Sequence, residues 1–183
     1  MPRFTSHPLR LAGAVAAAAT LGLVVFGLVW FQPQKLFIDD RVDEALPVAT
    51  AVETPSDAAS AAPARMLRTL SVGRFHSHEH ATEGRARVID LPDGRRYVRF
   101  EGFRTSNGPL LRVYLSAARA DGPGEAFDDR FLDLGALKGN IGDQNYAIPR
   151  GTRLRAFRSV VVWCKRFAVP FAAAPVAAGG GSA

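Results

Sequence analysis

An uncharged run of 24 residues, Leu11 to Gln34 (LAGAVAAAATLGLVVFGLVWFQPQ), limits what this chain can be before any other feature is read. As a helix rising about 1.5 Å per residue it is about 36 Å long, enough to cross a hydrocarbon core of about 30 Å. Arg3 and Arg10 precede it with no acidic residue between them, whereas Asp39, Asp40, Asp43 and Glu44 follow it. That asymmetry predicts residues 1–10 in the cytoplasm, 11–34 as a single-pass transmembrane anchor, and everything downstream periplasmic or extracellular. Trp30 and Phe31 stand where an interfacial aromatic belt belongs. The competing reading is a cleaved secretory signal, whose apolar region normally runs about 7–15 residues before small residues at the cut. Here the run is longer and ends in VWFQPQK. Both readings export the remainder. The sequence holds no second hydrophobic span, which argues against a multi-pass transporter, and export removes the chain from most nucleic acid.

Residues 35–64 read as a juxtamembrane segment and flexible linker. Lys35–Pro47 (KLFIDDRVDEALP) mixes apolar and acidic residues and suits a short helix or an extended arm, while Val48–Ala64 is small, polar and proline-rich. The alanine- and glycine-rich residues 172–183 are expected to be a disordered tail. That leaves 65–171 as the folded unit, with 19 Lys and Arg against 11 Asp and Glu. Such a surplus suits an anionic envelope surface or an acidic partner protein, or is simply a solvated arginine-rich face.

Within this unit the pattern is short alternating strands with glycine-rich punctuation, and no run of helical period follows residue 47. Strands are expected at Arg68–Ser77, Gly84–Leu91, Arg95–Phe103 and Leu110–Ala117, then near Phe127–Leu134, Gln144–Ile148, Ser159–Cys164 and Arg166–Phe171. Pro92-Asp93-Gly94 is a hairpin turn joining the second and third. Many short strands without crossover helices predict an all-β fold, an antiparallel β-sandwich preceded by a single N-terminal transmembrane helix.

Cys164, the only cysteine, sits in SVVVWCKRF (Ser159–Phe167). A lone thiol makes no internal disulfide, so it is either a small apolar core residue or a group kept for its reactivity. Val160, Val162 and Cys164 share one strand parity, whereas Phe167, Val169 and Phe171 take the other. A β-bulge at Lys165 or Arg166 would produce that shift; burial of both faces is the alternative. In a regular strand Arg166 is the same-face neighbour of Cys164 and a candidate stabiliser of its thiolate. His76, His78 and His80 (HSHEH) would share one strand face, a geometry open to Cu or Zn; adventitious binding is the expectation, and no metal site is assigned. CxxC, CxxCH, GxSxG and HExxH motifs are absent. Were haem bound, it would be non-covalent, with Cys164 or His80 as axial ligand.

Three stretches together, GPLLRVYLS (Gly108–Ser116), DLGALKGNIGDQNYAIP (Asp133–Pro149) and VVVWCKRFAVPFAAAPV (Val160–Val176), resemble the DM-thirteen domain, a family associated with electron transfer. Upstream, GRFHSHEHATEG (Gly73–Gly84) resembles the family's opening, with His80 and Gly84 on its His and Gly positions. The resemblance implies a β-sandwich outside the cytoplasm whose characteristic cysteine corresponds to Cys164. It further implies redox chemistry through a naked thiol or a prosthetic group such as haem, with a redox partner protein. Leu110 departs from the pattern, which often has Asp there. This member looks bacterial, membrane-anchored and single-domain. The expected function is therefore a tethered extracytoplasmic redox domain centred on Cys164, with His80 as candidate partner; a non-catalytic surface binding or adhesion module with a core cysteine is the alternative.

From the residues themselves, Gly135, Gly139 and Gly142 are expected to allow tight turns, and Tyr146 to pack its ring while its hydroxyl finds a partner.

Overall fold

In the computed structural model, which describes residues 7–31, 38–47 and 66–176, the alternating segments form two antiparallel sheets. An apolar helix, α1 (His7–Phe31), precedes them. Its stretch Leu11–Trp30 has a mean hydropathy of 2.2 and is long and apolar enough to cross a membrane.

The strands are β1 (Arg68–Arg74), β2 (His76–Ser77), β3 (Glu83–Asp90), β4 (Arg96–Arg104), β5 (Leu111–Ser116), β6 (Phe131–Ala136), β7 (Ile141–Ile148), β8 (Ser159–Cys164) and β9 (Val169–Pro175). One sheet runs β1-β3-β4-β7 and the other β2-β9-β8-β5-β6. Alternation decides what lies between them. Val113 and Leu115 of β5, Val160 and Val162 of β8, and Val98 and Phe100 of β4 meet in one core. Each fully buried aliphatic side chain there contributes about 1.5–3 kcal/mol. The turn at Pro92–Gly94 joins β3 to β4 as expected, with Gly94 at φ 77.

Three details differ from the sequence reading. The expected first strand is split: β1 pairs with β3 in one sheet and β2 with β9 in the other. The chain crosses between sheets at buried Phe75, whose ring meets Phe100 edge-on at 4.9 Å. The parity change after Cys164 is not a bulge at Lys165 or Arg166, because residues 165–168 form the turn between β8 and β9. Ala168 there takes φ 53, and the pairing irregularity lies at Val162/Trp163. The expected tail from Ala172 begins later, since Ala172, Ala173 and Ala174 are wholly buried within β9.

Both faces of β8 are buried. Val160, Val162 and Cys164 point into the inter-sheet core, while Val161 and Trp163 pack with Tyr114 and Phe127 under the segment that carries a 3-10 helix, Gly124–Asp128.

Residues 38–47 form an extended arm laid parallel to β7. Val42 N donates to Ile141 O (2.9 Å), Glu44 N to Asp143 O (2.9 Å), and Ile141 N to Asp40 O (3.3 Å). Two glycines make room for it. A Cβ on Gly139 would collide with the Asp40 carbonyl, and one on Gly142, at φ 103, with the Val42 carbonyl. Gly142 and Gly135 (φ 125) take the positive φ expected of them; Gly139 serves the close approach instead.

Candidate functional site

The loop Thr105–Leu110 between β4 and β5 gathers the residues singled out in the sequence. It lies where β4 ends, β5 begins, β8 ends and β9 begins, so it closes one end of the sandwich. Its root is fixed by polar contacts: Thr105 N donates to Asn140 O (2.9 Å), and the Thr105 and Thr82 hydroxyls share a 2.8 Å hydrogen bond. Asn140 Nδ2 donates to Thr105 O (3.0 Å). Asn107 Nδ2 reaches the arm, donating to Ile38 O (3.1 Å) and Asp40 Oδ2 (2.9 Å). Gly108 lies against the Phe171 ring, where a Cβ would approach Cζ to 2.8 Å.

Cys164 is fully buried, and its Sγ–H donates to the Pro109 carbonyl at 3.3 Å. It pairs across β8 with Leu111 on one side and Val169 on the other. Thus the Gly108-Pro109 stretch caps the thiol. The next residue, Leu110, holds φ 62, a left-handed conformation costly for leucine, and accepts a hydrogen bond from Lys165 N (3.1 Å). Asp at this position would tolerate that backbone better, being short and able to hydrogen-bond locally.

His80 is half-buried. Its Nδ1 is 2.7 Å from Ser106 Oγ, and its ring stacks on Phe171 with centroids 3.7 Å apart. Burial pushes the imidazole below its ordinary 6.5 against the opposing pull of Glu79, so it is neutral at pH 7. His80 and Cys164 are therefore held by two residues of the same loop, Ser106 and Pro109.

The other two imidazoles of HSHEH go elsewhere. His78 Nε2 lies 2.9 Å from Ala120 O and meets Phe127 edge-on, while His76 is exposed on β2. The strand that would have aligned all three ends at Ser77. Among the described residues no three His, Cys, Asp or Glu are arranged to hold a metal ion.

Arg166 lies in the β8–β9 turn, with its guanidinium carbon 4.7 Å from the Trp30 ring centroid at the end of α1. Its Nε is buried with no hydrogen-bond partner among the described residues. Arg166, Leu110, Leu111 and Asn107 line a cavity of about 240 Å³. Haem does not fit at Cys164 in this arrangement. The sulfur is enclosed, its proton is directed at a carbonyl, and the adjoining cavity is smaller than the roughly 300–1,000 Å³ usual for bound organic ligands.

A family model described as Electron transfer DM13 matches residues 74–176, from the end of β1 to the residue after β9. The chain belongs to the electron-transfer DM13 family. No curated protein and no solved structure matches it. The DM13 match spans both sheets and the 105–110 loop; α1 and the arm lie before it.

Sequence reasoning singled out Cys164, His80 and Arg166 but missed Ser106, Pro109 and Phe171, which hold or cover the first two. Gly108-Pro109 was a readable turn signal. What it could not reveal is that the Pro109 carbonyl turns inward onto β8.

Proposed function

We propose that this DM13 protein is a membrane-tethered domain displayed outside the cytoplasm, with its family's electron-transfer role exercised through Cys164 as a latent thiol. The observation that carries this reading is the shared loop: Pro109 accepts from Sγ, and Ser106 binds His80. Lifting residues 105–110 would free thiol and imidazole together, and the left-handed Leu110 places strain in the same loop. In the open state the thiolate attacks a partner protein's disulfide. A Cys164–partner sulfur bond forms, the partner's sulfur–sulfur bond breaks, its second sulfur leaves as thiolate, and the Cys164 proton passes to water.

Complete burial of Cys164 favours a second reading, a non-catalytic binding module with a core cysteine. Its support is a groove of about 680 Å³ floored by Leu70, Val88, Leu154 and Val176 and edged by Arg68, Arg96, Arg153 and Arg155, a setting for an anionic amphiphile of the envelope.

Alkylation of Cys164 across sub-denaturing urea separates the two. Local opening gives a labelling rate that is flat at low urea, and Ser106→Ala raises that flat rate about fivefold, the weight of one lost hydrogen bond of about 1 kcal/mol. A rate that follows global unfolding from zero urea upward would leave Cys164 as core packing and end the redox reading.

A further inference from the structure

We infer that the end of the sandwich carrying the 105–110 loop lies on the surface of the bilayer that α1 crosses, with Leu110 and the 165–168 turn in the lipid headgroup layer. This rests on the tethered reading of α1 and adds an orientation and a contact surface to it.

Covalent reach comes first. Phe31 ends α1 and Ile38 begins the arm, seven residues apart, a span of at most about 25 Å. The arm is not loose at its far end, because its pairing with β7 seats Ile38 beside Asn107. So the tether leads to the loop end of the domain. The opposite end, at Pro92–Gly94, lies roughly 25 Å further along β4 at about 3.3 Å per residue.

Contact comes second. Arg166 stacks on Trp30, the last residue of the apolar span, so the 165–168 turn already meets the segment expected at the membrane interface. Surface chemistry is third. Leu110 and Phe167 are 48% and 50% exposed, and Lys165 is exposed beside them. Lys165 N bonds Leu110 O, so the loop and the turn form one patch. A half-exposed leucine at φ 62 gains neither from its backbone nor from the core. Lipid is the surrounding that rewards it, and basic side chains with long apolar stems suit the same depth. The nearby carboxylates do not face this layer unpaired: Asp40 accepts from Asn107 and Asp39 from Asn140.

The occupant of this patch is therefore the headgroup layer of an anionic bilayer. The test uses the full chain in vesicles of phosphatidylcholine with phosphatidylglycerol, carrying a photo-crosslinking amino acid at Val24, Leu110 or Asp93 in turn. Lipid adducts are expected at Val24 and Leu110, with Asp93 at background. Lys165→Gln lowers the Leu110 adduct by up to about fivefold, the weight of one basic side chain at an anionic surface, and has no effect in pure phosphatidylcholine. A Val24 adduct with Leu110 no higher than Asp93 overturns the inference and leaves the tether standing. No adduct at Val24 removes the tether reading and the inference with it.

Discussion

The two edges of the four-stranded sheet are finished differently. At the β7 edge the arm supplies a further strand, backed by charge. Arg99, only 7% exposed, donates to Glu44 O (3.0 Å), Asn145 Oδ1 (3.0 Å) and Asp143 Oδ2 (2.6 Å) and contacts Glu101 at 3.2 Å. Glu44 itself accepts from Lys138 Nζ (2.6 Å) and from Asn145 N (2.7 Å). At the β1 edge no strand is added among the described residues, and Val72 is 56% exposed. An unfinished edge is a template for foreign strands, so finishing one with the segment that follows the anchor ties tether geometry to fold stability.

The strongest way to break this contrast is Gly142→Val. It places a β-branched residue at φ 103 and its Cβ against the Val42 carbonyl, so it should expel the arm and cost roughly 3 kcal/mol in a denaturant melt. Unchanged amide protection at Val42 and Glu44 would show that the arm does not depend on this approach. Arg99→Met is next, at about 2 kcal/mol. That is less than a fully buried pair would lose, because Asp143 keeps solvent contact.

Glu44 gives a smaller, pH-dependent effect. Burial pushes its carboxyl upward, but Lys138 and Asn145 outweigh it and hold the group below the ordinary 4.5. A depressed carboxylate contributes its stability in full above the unfolded value and loses it as pH falls through the folded one. Protection of the arm amides, followed by NMR, should therefore be constant near neutral pH and fall below about 4.5 in a Glu44-dependent manner. Glu44→Gln flattens that profile. The smallest effect is expected at the other edge, where Val72→Thr stays within about 0.5 kcal/mol; a larger loss would mean that β1 is covered after all.

The contrast also shows what could be read in advance. Period-two alternation located nearly every strand of the two sheets, because one face of each strand is in the core and composition reports it directly. β8 escaped that logic. With both faces buried, SVVVWC carries no polar alternate, and the turn after it looked like a shift within one strand. The arm was less legible still: Asp40, Val42 and Glu44 pair with residues about a hundred positions away, and DDRVDE has no strand-like pattern of its own. The signal that could have found it lay in the partner, in Gly139 and Gly142. At the site, residue type singled out Cys164 and His80, but their shared restraint depends on how a short loop folds over β8, which local pattern does not encode.

The parallel run of the arm beside β7 also bears on mechanics. Tension from the anchor enters at Ile38 and, when directed along the strand, loads the Asp40–Ile141, Val42–Ile141 and Glu44–Asp143 hydrogen bonds together in shear. A hairpin pulled from its open end gives way one bond at a time. Here the membrane pulls on a clasp whose bonds must yield at once, so drag on the envelope side meets the sheet's firmest edge before it reaches the loop over Cys164.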